Sequence, residues 1–327
     1  MIGTVLHETY RITRLIGAGG MGSVYEAVHV RLARKRFAVK MLLTDVTSDP
    51  ATYGRFRREA EVMTEIGHPH IVEVLDFNVT DDGKPYMVME LLEGEDLASR
   101  IRRLGRLDPR ELVDIIDQVA SALQAAHDHD IVHRDIKPAN IYLIQPPGGK
   151  VHAKVLDFGL SKIQHSRSVL TLSQAVFGTP YYMSPEQASG TVDEIDHRTD
   201  IFALACICYQ ALTGALPFDA PTIPGTLYKV CHLEPSPIRL VLPQIPAPVE
   251  LVLGRAMAKD KGARYERVED FAAALRQALI IGAPDLDATE EVVLPSEDQK
   301  PGGARGGMVL GQSPLGALGR TDRPPRK

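Results

Sequence analysis

Short apolar runs, split by glycine and charge clusters, fill the first ninety residues. Residues 10–16, 22–28 and 37–43 are rich in β-branched and aromatic side chains, which predicts three strands. Over residues 51–66 the spacing changes. Phe56, Ala60, Met63 and Ile66 recur at helical intervals and predict one helix. Two more apolar runs, 71–77 and 86–92, complete a small layer of five antiparallel strands with a single helix.

The pattern then turns helical. Asp108-Pro109-Arg110-Glu111 combines an N-cap acid, a first-turn proline and a following glutamate. Leu112, Ile115, Ile116, Val119, Leu123 and Ala126 continue it at the helical period. Helical patterns return over 201–212, 249–257 and 268–279. Between 148 and 155 a short hairpin is expected, its turn at Pro146-Pro147-Gly148-Gly149. The order is that of an α+β chain, with a small sheet-rich lobe (10–92) and a larger, mainly helical one (93–281). Residues 282–327 are rich in Gly, Pro, Ala and Ser without a sustained period, which predicts a disordered tail.

Composition narrows the class without naming it. The chain has 327 residues, 44% hydrophobic and 24% charged, an ordinary globular mix. Its 37 basic and 42 acidic side chains leave a net charge of −5, which argues against a nucleic-acid partner. Cys206, Cys208 and Cys231 make an odd count with no C-x-x-C, so reduced thiols and a cytoplasmic location are expected. Residues 201–218 have about the length of a membrane span. Gln210, Thr213 and Gly214 interrupt that run and Asp200 opens it, so it reads as a buried central helix and no membrane span is expected.

Candidate chemistry begins at Gly17-Ala18-Gly19-Gly20-Met21-Gly22-Ser23-Val24, a G-x-G-x-x-G-x-V pattern. Glycines let backbone N–H groups approach phosphate oxygens with no Cβ in the way. A strand follows the loop, so it caps a hairpin and is neither a Rossmann turn nor a Walker A loop. Taken alone it is equally an ordinary hairpin turn. Lys40 closes the apolar run Phe37-Ala38-Val39, where a buried ammonium needs a partner. Glu59 could be that partner, or Lys40 could extend its head to solvent at a strand end.

The stretch Ile131-Val132-His133-Arg134-Asp135-Ile136-Lys137-Pro138-Ala139-Asn140, with Asp157-Phe158-Gly159 seventeen residues on, decides between these readings. Order and spacing together resemble the protein kinase family over about residues 10–280. Arg55-Phe56-Arg57-Arg58-Glu59-Ala60, His68-Pro69-His70-Ile71-Val72 and Ser184-Pro185-Glu186-Gln187-Ala188 resemble the bacterial, eukaryotic-like serine/threonine kinases. The resemblance implies a bilobal kinase fold, ATP as co-substrate and Mg²⁺, with Mn²⁺ as a substitute.

It also implies roles for single residues. Lys40, held by Glu59, would meet the α/β-phosphates, Asn140 and Asp157 would ligate the metal, and Asp135 would take the substrate hydroxyl's proton. Lys137 would neutralise the γ-phosphate, and Thr179 would bridge Asp135 and Lys137. Ile16, Gly17, Gly19, Gly22, Val24, Ala38, Tyr142 and Leu156 would enclose the nucleotide. Met89 would be the gatekeeper, Glu90 and Leu92 the connector that meets the base, and Asp96 the ribose contact. Met63, Val74, His133 and Phe158 would form a stack coupling the lobes. Tyr142 is bulkier than the aliphatic residue usual on that floor.

Residues 158–186 then resemble an activation segment, with Thr171 and Ser173 as phosphosites facing Arg134. Glu186 would pair with Arg264. Gly178-Thr179-Pro180-Tyr181-Tyr182 and Lys137 favour serine/threonine hydroxyls on protein substrates. Ala139 stands where a preference for basic targets would call for a carboxylate. Relatives can pair through their small lobes, so a homodimer for trans-autophosphorylation fits the resemblance. Aspartate at 130, where relatives often have glycine, requires a left-handed turn. Two other functions stay open on these residues: a catalytically silent scaffold and a small-molecule phosphotransferase. His127, His129 and His133 lack the fourth ligand of a zinc site.

Overall fold

The computed structural model describes residues 1–19, 22–42, 50–146, 148–158, 180–191 and 194–281, apart from the side chains of 50–52, 55, 59 and 281. Six strands form the small-lobe sheet: β1 (Val5–Leu6), β2 (Tyr10–Gly19), β3 (Gly22–His29), β4 (Arg36–Leu42), β5 (Val74–Val79) and β6 (Pro85–Glu90). They lie in the order β1-β2-β3-β4-β6-β5, every neighbour antiparallel. The expected five strands are therefore six. The extra one, β1, has two residues, too few to show a periodic pattern, and its Leu6 is buried against the sheet's outer face.

Burial in β4 and β6 follows the period of two. Phe37, Val39, Met41, Tyr86 and Val88 join Leu6, Ile12 and Ala27 in one apolar cluster. Ala38, Leu42, Met87 and Met89 point the other way, into the principal core. There α1 (Pro50–Ile66) contributes Phe56, Ala60 and Met63, as the spacing predicts. Gly22 is where β3 passes closest to β4. A Cβ there would lie 2.1 Å from the Met41 carbonyl oxygen, so no other residue fits without moving a strand.

The connector leads to β7 (Glu95–Asp96), α2 (Leu97–Leu104) and α3 (Pro109–His127). The α3 start is as expected: the Asp108 carboxylate accepts from the backbone N–H groups of Arg110 (2.8 Å) and Glu111 (3.4 Å). The hairpin of β8 (Ile141–Ile144) and β9 (His152–Val155) pairs with β7 in a second sheet. Its strands flank the expected turn, so the hairpin begins earlier than the turn residues suggest. Gln118 of α3 secures its edge, donating to Val151 O at 3.0 Å and accepting from Ala153 N at 2.8 Å.

Beyond lie α4 (Pro185–Ala188), α5 (Arg198–Thr213), α6 (Ile223–His232), α7 (Ile238–Val241), α8 (Ala247–Ala256) and α9 (Val268–Ile281). Of the run that has the length of a membrane span, residues 201–213 fall in α5, which stops at Gly214. Nearly every residue from Thr199 to Leu212, Cys206 and Cys208 included, is buried among α3, α8 and α9. Among the described residues no helix is long and apolar enough to cross a membrane. Helices α2 and α6 are not foreshadowed by the apolar pattern. The tail expected over 282–327 lies outside the described residues.

Candidate active site

Asp130 closes α3 in the left-handed conformation, φ 58°, and its N–H returns to His127 O at 3.0 Å. This is the turn that an aspartate in place of glycine has to make. The segment that follows is held from below by Asp200, in the first turn of α5 and fully buried. One Asp200 oxygen accepts from His133 N (2.9 Å) and His127 Nε2 (2.8 Å), the other from Arg134 N (2.8 Å). Burial works to raise the Asp200 pKa, but the His127 bond, the nearby imidazole charges and the His133 N–H outweigh it. The carboxyl is held below its usual value. Arg134 itself has φ 65°, backbone strain that this clamp sustains.

From the other side α4 grips the same loop. Gln187 Nε2 donates to Arg134 O at 2.6 Å, while Ser184 and Gln187 form a reciprocal capping box. Glu186 and Arg264 make the expected pair, bidentate at 2.8 Å for both bonds and buried, with Thr199 Oγ1 donating to Glu186 at 2.7 Å.

Above this base the polar side chains converge. Lys137 Nζ meets Asp135 Oδ2 at 2.7 Å, and Asn140 Nδ2 donates to the Asp135 carbonyl at 2.9 Å. Leu156 N bonds Asn140 O at 2.8 Å, which registers β9 and Asp157 against the loop. His133 contacts Leu156 O through Nε2 at 2.9 Å, and its ring lies 4.8 Å from that of Phe158. Met63, Val74 and Phe158 share the principal core, so that stack is assembled.

Lys40 reaches from β4 across the cleft to Asp157 Oδ1 at 2.5 Å. Enclosure in the cleft would raise the Asp157 pKa. The Lys40 charge and hydrogen bond, with His133 and Lys137 beyond, reverse this and keep the carboxyl below its usual value. Asp157 also has positive φ, 58°. Among the described residues Lys40 pairs with Asp157; the Glu59 side chain lies outside them, as do Thr171, Ser173 and Thr179.

The apolar positions lie around the same cleft. Ala38 and Met89 are buried, and Val24, Leu92 and Leu156 pack against the core from its margin. Ile16 is half-exposed on β2, the strand that ends with Gly17 and Gly19. Glu90 directs its carboxylate to Lys154 Nζ (2.5 Å) and Glu73 N (2.8 Å). Asp96 engages Ser99, from N and from Oγ, both at 2.8 Å, as the cap of α2. The bulk of Tyr142 is accounted for: its hydroxyl donates to Gly94 O at 2.9 Å. Close packing of Gly94 on Leu143, where a Cβ would meet the carbonyl oxygen at 2.0 Å, fixes the connector there.

The three histidines of 127–133 do not form a cluster. His127 is on Asp200, His129 on Ala125 O and His133 on Leu156 O. Motif reading assigns no role to Asp200 or Gln187, which hold the Arg134 backbone from two sides. The signal for Asp200 was a charge opening an otherwise apolar helix.

A family model for the protein kinase domain matches residues 10–248. The chain belongs to the protein kinase family. Among bacterial kinases, serine/threonine-protein kinase Pkn1 of Myxococcus xanthus is 38% identical over 94% of this chain and 42% of its own length. PknH of Mycobacterium tuberculosis is 39% identical over 88% and 44%. PrkC of Bacillus subtilis is 38% identical over 85% and 42%. The chain thus spans about half the length of the curated kinases it matches. The crystal structure of the Mycobacterium tuberculosis PknI kinase domain superposes with a TM-score of 0.65 at 28% identity, covering 85% of this chain and 98% of that one. The sheet-rich small lobe and the helical large lobe are the kinase fold.

Proposed function

We propose that the chain transfers the γ-phosphoryl group of ATP to serine and threonine hydroxyls of proteins. The observation that carries this reading is the convergence of Lys40, Asp157, Asn140, Asp135 and Lys137 in one cleft. Asp157 and Asn140 suit a hard divalent cation. The former is kept ionised, and the latter spends its amide nitrogen on Asp135 O and keeps its oxygen free to ligate. Mg²⁺ held by this pair, or Mn²⁺ in its place, would supply charge neutralisation at the phosphate oxygens.

The rest is the work of the chain. Lys40 pairs with the phosphates. Asp135 orients the acceptor hydroxyl and takes its proton. Lys137 steadies the Asp135 carboxylate and offsets charge on the transferred group. Lys137 two residues after Asp135, together with relatives named as serine/threonine kinases, supports alcohol over phenol acceptors.

Arg134, half-buried beside Asp135, is the receptor for a phosphate on Thr171 or Ser173, added by one copy to another. Three free thiols support a cytoplasmic setting. Residues 10–281 form the catalytic domain, with residues 282–327 as a Gly/Pro-rich tail.

The test is phosphate transfer from radiolabelled ATP to a generic basic protein and to the chain itself. Loss of the proton acceptor in Asp135→Asn should cost a factor on the order of 10²–10⁴ in rate. Equal activity of that variant and the parent would overturn the reading. Mapping of the phosphorylated parent is expected to find Thr171 or Ser173, with an initial rate that rises with the square of protein concentration.

A further inference from the structure

A line of charged side chains crosses the roof of the cleft. Glu26 of β3 lies opposite Arg14 on β2 and Ala38 on β4, while Val24 lies opposite Lys40. Residues opposite one another share a face, as do residues two apart. Arg14, Val24, Glu26, Arg36, Ala38 and Lys40 therefore share the face from which Lys40 reaches Asp157. On that face Arg14 Nε bonds Glu26 Oε2 at 2.6 Å, and Arg36 Nε bonds Glu26 Oε1 at 2.8 Å. Arg36 also meets Glu93, past the connector, at 2.5 Å. The next carbonyl, Gly94 O, receives the Tyr142 hydroxyl from β8. A chain of contacts thus runs from the strand leading into the glycine-rich hairpin, over the adenine-facing positions, around the connector and down to the floor.

Glu26 is its buried member, with 9% of its side chain exposed against 60% for Arg14, 42% for Arg36 and 75% for Glu93. The Arg36 hydrogen bond, aided by Arg14, holds its carboxyl below the usual range. Cohesion of the sheet does not require an acid here. The backbone ladders already join β2, β3 and β4, and the opposite face has its own apolar cluster. With both arginines and Glu93 open to solvent, such an ion cluster contributes little net stability, so its consequence is fixed position.

We propose that Glu26 is a positioning residue of the nucleotide site, tying the glycine-rich hairpin to the connector so that the roof is held at purine spacing above Tyr142. The inference rests on the kinase reading of the cleft. Removing the charge leaves two guanidinium groups facing each other, and β2 is released from the connector.

The experiment uses the full chain and its Glu26→Gln variant. Adenosine, which carries no charge, reports pocket geometry without the electrostatic attraction of ATP for the freed arginines. By calorimetry its Kd should rise about fivefold, the order expected when a cooperative ion pair that orders a site is lost. KM for ATP should rise while kcat stays within twofold. Amide exchange in the ligand-free protein should quicken over residues 10–24 and stay unchanged in α3 and α5. High salt should move the parent toward the variant. Arg14→Gln, at an exposed site, should give the same changes in weaker form, and it carries the test should Glu26→Gln not fold. Parental adenosine affinity and unchanged exchange in the variants would overturn the role of Glu26 alone. A parent that binds neither adenosine nor ATP would remove the kinase reading and this inference with it.

Discussion

Asp200 carries two backbone N–H groups and an imidazole on one carboxylate, so the catalytic loop depends on a side chain that never meets substrate. In Asp200→Asn the volume remains but the charge-assisted bonds do not. We expect about 2–4 kcal/mol of lost stability, read by denaturant unfolding, and a fall in kcat larger than any change in KM for ATP. Because its folded pKa lies below the ordinary value, Asp200 stabilises the fold fully above about pH 4 and ceases to do so as pH falls through the folded value. The bidentate Glu186–Arg264 pair gives a second expectation. Arg264→Lys keeps the charge but cannot form both bonds, and should cost about 2–4 kcal/mol by thermal or chemical melting. At this scale the sequence discloses residues whose type conflicts with their surroundings, such as Lys40 at the end of an apolar strand. It conceals Gln187, whose partner Arg134 is 53 residues away and is contacted through its backbone.

Between α1 and β5 three imidazoles stand together, His70 with ring centroids 5.6 Å from His68 and 4.6 Å from His152 on β9. Burial is the main cause that lowers the pKa of His68 and His70; Lys154 adds to it at His68, and at His70 the His152 and His68 rings and Lys154 add to it against the opposing bond to Ala153 O. The neutral rings are the folded form. Their contribution is complete above about pH 6.5 and is lost as pH falls through their folded values, because the unfolded chain then binds more protons. The segment they clamp pairs with β9 through Val72 N to Val155 O (3.0 Å) and Val155 N to His70 O (2.8 Å). Stability measured from pH 8 to pH 5 should therefore fall, and His70→Phe should flatten that dependence. Gly22→Ala is expected to push β3 off β4 and raise KM for ATP by at least tenfold, since the clash is with backbone. Helix α3 was legible because its cap and its apolar stripe agree. Helix α2 was not, because Arg100 occupies its buried face, paired with Glu95 and Glu111. Pro224 and Gly225 in the first turn of α6 imitate a loop in the same way.

Across the whole molecule the α+β order was readable, because a strand-rich segment precedes a helix-rich one and each keeps its own periodicity. How the two meet was less so. The β-bridge of Ile71 to Val155 and the pair Lys154–Glu90 join positions 64 to 84 residues apart through short, irregular segments. The last described helix, α9, closes the core with Val268, Phe271, Leu275 and Leu279 against α3 and α8. A chain ending at residue 281 should thus melt within about 2 °C of the full chain, by calorimetry, since substitutions away from packed features shift stability by about 0.5 kcal/mol or less.

Cysteine burial gives the domain a chemical asymmetry. Cys206 and Cys208 are sealed inside α5, where burial raises their thiol pKa values far out of reach of ordinary alkylation, while Cys231 on α6 is only partly covered. Its sulfur lies 3.6 Å from Ser189 Oγ, one residue past the helix that grips Arg134. A maleimide dye should therefore attach to the folded chain at one site, and its emission would record motion behind the catalytic loop.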